Sequence, residues 1–146
     1  MGTVRHSSEV SASRQRAFAY VNDHERVPEW MFGVKKFEPV SDVTYGLGSK
    51  FDVIMNLGPK AISATVEVTE FVEDEIIRLQ TIKGISAATV WRFEDTAKGT
   101  AVSVEATYQL PGGIAGRALG AVIEPAVGQV IRHTDSALKS RLDKPA

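Results

Sequence analysis

Hydrophobic and polar residues alternate with a period of two along most of the chain. A first alternating run covers Val4–Val10, and a much longer region with the same period extends over 34–109. From 62 to 69 the alternation has no exception, and turn-forming pairs such as Lys98-Gly99 interrupt the region at short intervals. This pattern predicts a first strand and then about six more, each with one apolar face and joined by short turns into an antiparallel sheet.

Helical spacing appears between the first strand and the others. Ala17 and Phe18 begin an apolar set at helical intervals behind Ser13, whose hydroxyl can accept a hydrogen bond from a free backbone N–H. A second short helix is predicted to begin near Asp23 as its capping residue, with Pro28 in the first turn, where proline is tolerated. Two short helices are therefore expected before the long sheet.

A long helix is predicted at the end of the chain. Helical spacing returns after Pro111-Gly112-Gly113 and continues to about Leu142, with Arg117 and Asp135 opposite the apolar stripe. Pro125 removes one intrahelical hydrogen bond, which predicts a kink on the solvent side. An apolar helix stripe and an apolar sheet face are natural packing partners.

The first half of this stripe contains small residues. Ala115, Ala118 and Ala126 lie in it, and Gly116 and Gly120 lie at its border. A curved sheet over so small a helix face either collapses or leaves space for a ligand. On the pattern alone both interpretations stay open, because large aromatic side chains of the sheet can also fill the space.

Composition limits the classes of function. The 146 residues, 43% of them hydrophobic, fit one domain over 1–146, and a net charge of -1 argues against nucleic-acid binding. The absence of cysteine excludes disulfides and favours a cytoplasmic protein, and the first ten residues lack the apolar core of a secretory signal. Charges interrupt the apolar segment 114–131, so no membrane span is expected.

One ion pair is expected on the outer face of the sheet. Arg92 and Glu105 are predicted to pair there across neighbouring strands, contributing at most about 1 kcal/mol to stability.

Several motifs resemble those of a known family. The segment from Ser11 to Trp30, with its D-x-x-x-x-P-x-W ending, resembles the opening helices of the polyketide cyclase/dehydrase and lipid-transport family in the START and Bet v 1-like superfamily. The resemblance continues through G-L-G-S-K-F at 46–51, E-V-T-E-F at 67–71, K-G-T-A-V at 98–102 and Y-Q-L-P-G-G at 108–113. Their order and spacing span almost the whole chain.

This resemblance implies an α+β helix-grip fold, in which a curved seven-stranded antiparallel sheet, two short helices and a long C-terminal helix surround an apolar cavity. Family members bind lipids, sterols, polyketides, quinones or plant hormones, and some cyclise aromatic rings. Because family members differ this widely in ligand and activity, the fold alone does not indicate which activity a member has. The family has no universal catalytic motif, so no residue here inherits a catalytic role.

Inward-facing positions supply the candidate ligand-binding residues. Trp30 is expected at the cavity mouth, and Tyr108 and His133 are weak candidates for acid or base chemistry. The histidines at positions 6 and 24 have no carboxylate or second histidine at metal-ligand spacing, so neither a metal site nor a cofactor is expected. The predicted ligand-binding set is Trp30, Phe51, Val53, Met55, Ala64, Val66, Trp91, Phe93, Val104, Tyr108, Leu119, Val122 and Ala126.

Three functions compete. The first is binding or transport of a small hydrophobic molecule such as a lipid, polyketide, quinone or aromatic compound. The second is a polyketide or aromatic cyclase or dehydratase in which Tyr108 or His133 moves protons. The third is a protein-interaction module. A small hydrophobic molecule is the expected partner, and the chain is expected to be a monomer or a homodimer.

Overall fold

A computed structural model describes residues 2–57, 60–109 and 112–144 of the chain, without the side chains of residues 57, 115, 119, 122–124, 126 and 127. The elements in chain order are β1 (Gly2–Val10), α1 (Arg14–Asn22), α2 (Val27–Trp30), β2 (Val34–Pro39), β3 (Lys50–Leu57), β4 (Lys60–Val72), β5 (Ile76–Lys83), β6 (Ser86–Asp95), β7 (Thr100–Gln109) and α3 (Gly113–Leu142). The six strands expected over 34–109 are confirmed, as is the long helix that follows them.

The strands form a seven-stranded antiparallel sheet in the order β1-β7-β6-β5-β4-β3-β2. Strands β2 to β7 follow one another as a meander, while β1 pairs with β7 at the other edge. The sheet curves around α3, which confirms the helix-grip fold. Register shifts at Val34/Lys36 and Val68/Glu70 place extra residues in the strands, a device that bends a sheet locally.

Helix α1 begins as the sequence predicts. The Ser13 hydroxyl accepts a hydrogen bond from the backbone N–H of Arg16 at 3.2 Å, satisfying one of the free donors at the helix start. Ala17, Phe18 and Val21 are buried on one side of the helix. The apolar spacing therefore fixes which face of α1 packs against the sheet.

Helix α2 begins later than expected. Asp23 was predicted to cap it, but the Asp23 carboxylate accepts a hydrogen bond from the backbone N–H of Glu25 at 3.1 Å, in the turn before the helix. The N-cap is Arg26, which makes no side-chain capping bond. Pro28 lies in the first turn as predicted, and its fixed φ favours a helix that starts there rather than at Asp23.

The main core lies where α1 meets the sheet. Phe18 packs edge-on against Phe93 and Phe71, with ring centroids 5.2 and 5.5 Å apart. Leu138 and Leu142, near the end of α3, are buried in the same region. The C-terminal half of α3 is thus held by the core.

The first half of α3 differs from the prediction at one position. Ala118 was expected to face the sheet, yet it is exposed, whereas Gly116 and Gly120 are buried. Residues four apart share a helix face and a residue midway between them lies on the other side, which explains the difference.

Pro125 is inside the helix and exposed, and the kink there stays a prediction. No helix in the described part of the chain is long and apolar enough to cross a membrane.

Polar contacts fix the end of α3. The Asp143 carboxylate accepts hydrogen bonds from the backbone N–H of Ser11 at 2.9 Å and from the Lys139 ammonium at 2.8 Å. These contacts, the one with Lys139 first, hold the pKa of Asp143 below its usual value. The Thr134 hydroxyl also accepts from the backbone N–H of Phe32 at 3.0 Å, which links α3 to the segment after α2.

The expected pair of Arg92 and Glu105 is not formed. Glu105 lies opposite Arg5 on β1 and accepts a hydrogen bond from its guanidinium, whereas Arg92 lies opposite Ser103. The prediction is wrong because it paired Glu105 with a residue of β6, the strand that precedes β7 in the sequence. The strand on the other side of β7 is β1, and it supplies the closer cation, Arg5.

Candidate functional site

The inward face of the sheet changes along its strands from buried to partly accessible. Near α1 the inward residues are buried, as at Phe51, Val68, Ile77, Trp91 and Val102. Towards the other end they are only half-buried. This half-buried set on β3, β4, β6 and β7 comprises Val53, Met55, Ala64, Val66, Thr89, Ala106 and Tyr108. A half-buried side chain on an inward face keeps accessible surface, and most of the side chains in this set are apolar.

A small cavity of about 40 Å³ lies where α1 and α2 meet the sheet. One of its lining residues is Leu79, a half-buried inward residue of β5. The described lining residues are Val21, Asn22, His24, Val27, Trp30, Met31, Phe37, Thr44, Gly46, Ser49, Phe51, Val68, Ile77, Leu79 and Trp91.

Two tryptophans meet in the wall of this cavity. Trp30, the last residue of α2, lies edge-on to Trp91 of β6, with centroids 5.4 Å apart and planes at 87°. Trp30 is 2% exposed, and its indole nitrogen has no hydrogen-bond partner among the residues that the structure describes. Buried polar groups normally have a partner, so this free donor is unusual.

Stacked rings form another part of the wall. Phe51 stacks on Phe37 of the edge strand β2 at 4.8 Å, and the His24 ring lies 5.4 Å from Phe51. Aromatic side chains offer large apolar faces with defined geometry. This part of the wall is therefore aromatic, with one imidazole at its side.

The loop between β2 and β3 borders the same cavity. Thr44 and Gly46 line it, while the alternating residues Val43, Tyr45 and Leu47 are exposed. The loop is tied down by the Tyr45 hydroxyl, which donates a hydrogen bond to the carboxylate of Glu73 in the turn after β4. This bond, with smaller contributions from burial and nearby carboxylates, raises the pKa of Tyr45 to about 12.

Tyr108 lies on the inward face, at the accessible end of β7. Its Cα partner on β1 is Gly2, and a β-carbon built on Gly2 would overlap the Tyr108 ring. The ring thus leans over the edge strand. An acid or base role for Tyr108 stays a prediction.

His133 is not among the described residues that line the small cavity. It is exposed, and its ring stacks on that of Phe32 at 4.6 Å with 22° between the planes. Its side chain extends from α3 towards the segment after α2, and an acid or base role for His133 stays a prediction.

His6 has a carboxylate neighbour that spacing in the sequence did not reveal. Its Nε2 lies 3.1 Å from an Asp135 carboxylate oxygen, a close contact that lacks the alignment of a hydrogen bond. Asp135 was predicted on the polar side of α3, yet it is half-buried and faces β1. Among the described residues, no three His, Asp or Glu side chains cluster as metal ligands.

A family model described as polyketide cyclase / dehydrase and lipid transport matches residues 1–143. The chain belongs to this family. The resemblance carried by the sequence motifs is thereby confirmed, and the family description covers both ligand carriers and enzymes. No curated protein sequence matches the chain significantly.

Solved structures share the family fold. A protein from Thermus thermophilus is 19% identical with a TM-score of 0.82, each chain being covered to 97%. A START superfamily protein from Mycobacterium smegmatis is 17% identical with a TM-score of 0.75, again with 97% of each chain covered. The Zhui aromatase/cyclase from Streptomyces sp. R1128 is 10% identical with a TM-score of 0.79, over 97% of this chain and 93% of that one. At these identities the likeness concerns the fold alone.

The predicted ligand-binding residues of this family member fall into four groups. Trp30, Phe51 and Trp91 line the small cavity. Val53, Met55, Ala64, Val66 and Tyr108 lie on the accessible half of the inward face. Phe93 and Val104 are buried instead, and Phe93 packs under Phe18, so these two belong to the core. The side chains of Leu119, Val122 and Ala126 lie outside the described residues.

Some lining residues were missed. Leu79 follows the same alternation as the predicted set, so a stricter application of the period could have included it, whereas the register shift at Val34/Lys36 puts Phe37 out of phase with Val34. His24 and Ser49 lie outside the helices and strands, where periodicity carries no information about the direction of a side chain. Only the folded chain brings these two to the cavity.

Proposed function

We propose that this chain binds or transports a small hydrophobic molecule, such as a lipid, polyketide, quinone or aromatic compound, between the inward face of the sheet and α3. The observation that carries the proposal is the change from buried to half-buried inward residues along the strands. On β3, for example, Phe51 is buried but Val53 and Met55 are not, although all three face the same side.

The chemistry of the accessible half supports an apolar ligand. Val53, Met55, Ala64 and Val66 supply aliphatic surface, and covering apolar surface contributes roughly 25 cal/mol per Å². A ligand lying there would replace water beside these side chains. The family description, which includes lipid transport, agrees with this proposal.

A cyclase or dehydratase is the second candidate. Tyr108 favours it, because this half-buried tyrosine lies on the inward face at the accessible end of β7, with its ring over Gly2. His133, the other candidate acid or base, is exposed and stacks on Phe32. Unchanged turnover in Tyr108→Phe, on any substrate that the protein converts, would contradict this role.

A fluorescence titration with N-phenyl-1-naphthylamine tests the binding proposal. Val53 and Ile54 are adjacent, half-buried aliphatic residues on opposite faces of β3, so they form a matched pair. We expect saturable binding to the unmodified protein, at least about tenfold weaker binding to Val53→Trp, where the indole fills the space, and less than about a twofold change in Ile54→Trp.

Two results would contradict the proposal. One is the lack of saturable uptake by a folded, unmodified protein. The other is equal loss of affinity in Val53→Trp and Ile54→Trp, which would assign the effect to stability rather than to the inward face.

Four other expectations stay predictions. They are a cytoplasmic location, the absence of nucleic-acid binding, the choice between monomer and homodimer, and the protein-interaction alternative.

A further inference from the structure

Exposed large apolar side chains concentrate in the loop between β2 and β3. Val40, Val43, Tyr45 and Leu47 are each between 49% and 65% exposed, and together they form the loop patch. Half of the exposed large apolar residues in the described part of the chain therefore lie within eight consecutive positions. Single exposed apolar residues are ordinary on a protein surface, whereas a group of them marks a surface that another molecule covers.

Hydrogen bonds and ring packing hold the loop patch in place. The Ser41 hydroxyl donates a hydrogen bond to the Val43 carbonyl at 2.7 Å. Tyr45 packs edge-on against Phe71, with ring centroids 5.3 Å apart, and its hydroxyl donates to the Glu73 carboxylate. A surface that is already ordered loses little conformational entropy when a partner binds, which favours docking.

Negative charge accompanies the loop patch. The loop 40–47 and the turn 72–75, which the bond from Tyr45 to Glu73 joins, contain four carboxylates and no Lys or Arg. These carboxylates are Asp42, Glu73, Asp74 and Glu75. After the hydrogen bond to Glu73 and burial, the charges of Glu73 and Asp74 also raise the pKa of Tyr45, so both carboxylates lie near its ring. None of the four forms an ion pair with another described residue, so their charges are available to a partner.

This charge discriminates among the molecules that can cover an apolar surface. In a symmetric dimer the same patch meets itself, so the carboxylates of two copies would face and repel each other. An anionic membrane would repel them as well. A protein segment that carries Lys or Arg beside apolar side chains matches both features, because its apolar groups cover the loop patch and its cations approach the carboxylates.

We propose that the loop patch is a docking surface for a basic, amphipathic segment of a partner protein. Thr44 and Gly46, which alternate with the exposed residues, line the small cavity, so the partner would bind on the other side of the same loop. The docking surface is distinct from the face of the sheet proposed to hold the ligand. The inference therefore goes beyond the proposed binding function and does not depend on it.

A pair of synthetic peptides tests the docking surface on the intact chain. One peptide is a helix with leucine on one face and lysine on the other, and the second carries glutamate in place of lysine. By fluorescence anisotropy we expect saturable binding of the lysine peptide and at least about tenfold weaker binding of the glutamate peptide. Raising the ionic strength from about 0.05 M to about 0.5 M should weaken binding of the lysine peptide.

Variants locate the binding on the surface. Leu47→Ser should weaken the lysine peptide at least about fivefold. Ile82→Ser, which removes a similarly exposed aliphatic side chain at the other end of β5 from the turn 72–75, should change its affinity less than about twofold. Asp74→Asn should weaken the peptide about two- to fivefold, and Glu9→Gln, on the opposite edge strand, should not. Asparagine tolerates the φ of 65° at position 74, so this variant tests the charge rather than the backbone.

The outcomes separate this inference from the binding proposal. No saturable binding, equal binding of the two peptides, or equal effects of Leu47→Ser and Ile82→Ser would overturn the inference, while the ligand-binding proposal would stand. A concentration-dependent dimer that Leu47→Ser abolishes would assign the loop patch to a second copy of the chain. Cosedimentation with phosphatidylcholine vesicles that Leu47→Ser abolishes would assign it to a lipid surface. Either result would overturn the proposed partner.

Discussion

The ring of Tyr108 lies over Gly2, its direct partner on the neighbouring edge strand, in the space that a β-carbon would occupy. The glycine lets the tyrosine lean across β1 at the accessible end of the sheet. The position of the Tyr108 hydroxyl therefore depends on a residue more than one hundred positions away in the sequence.

Replacing Gly2 should disturb this contact. We expect Gly2→Ala to displace the end of the Tyr108 side chain and to lower the free energy of unfolding by about 1 kcal/mol, the low end of the usual cost of overpacking. In a Tyr108→Ala background the same change should cost less than about 0.5 kcal/mol, because the ring is gone. Urea denaturation of the four proteins measures both values, and equal costs in the two backgrounds would contradict the contact.

Gly33 and Gly48 form a matched pair in the backbone. Both have φ of +88°, but a β-carbon on Gly33 would lie 2.5 Å from the Asn56 carbonyl oxygen, whereas none of the surrounding atoms lies within 4 Å at Gly48. We expect Gly48→Ala to cost about 1 kcal/mol for its φ alone, and Gly33→Ala at least about 1 kcal/mol more. Thermal unfolding of the two variants checks this order, and an equal cost would show that the turn at Gly33 relaxes freely.

The inward face should respond unevenly to loss of methyl groups. Val102 is buried near α1 and Val66 is half-buried at the accessible end, on the same face. We expect Val102→Ala to destabilise the protein by about 2–3 kcal/mol, since it leaves a closed void, and Val66→Ala by about 1 kcal/mol. Chemical denaturation gives both values. A larger loss in Val66→Ala would mean that this end of the sheet is as tightly packed as the core.

Tyr45 should ionise late in an alkaline titration. Its hydrogen bond to the Glu73 carboxylate favours the neutral phenol and raises its pKa to about 12, above the usual value of about 10. Because the folded pKa is the higher one, this contribution to stability is complete below about pH 10 and is lost as the pH rises through about 12. Tyrosinate absorbance, with Tyr45→Phe for assignment, measures the pKa.

Removing the acceptor should lower that pKa. In Glu73→Gln we expect Tyr45 to titrate closer to about 10, and in Glu75→Gln, a control carboxylate that makes no contribution to the shift, to titrate as in the unmodified protein. An unchanged titration in Glu73→Gln would show that the hydrogen bond does not hold the loop beside the cavity in solution.

Local patterns predict the elements of this fold well and its contacts less well. The alternation around Val53 and Val66 places both side chains inward, because neighbouring residues of a strand must face opposite sides. The contact of His6 with Asp135 joins two distant elements, and no periodicity specifies which residue of α3 meets β1. The small cavity depends likewise on Trp30 in a helix and Ser49 in a loop, which the sequence alone does not bring together.

A methyl spectrum of the methionines tests the central proposal most directly. The chain has three methionines, of which Met55 lies on the accessible half of the inward face and Met31 lines the small cavity. In ¹³C-methyl-labelled protein titrated with N-phenyl-1-naphthylamine, we expect the Met55 methyl signal to shift saturably and to show nuclear Overhauser contacts with the probe. A Met55 signal that stays unchanged while the probe binds, or the lack of any saturable change in the spectrum, would contradict a ligand site between the sheet and the last helix.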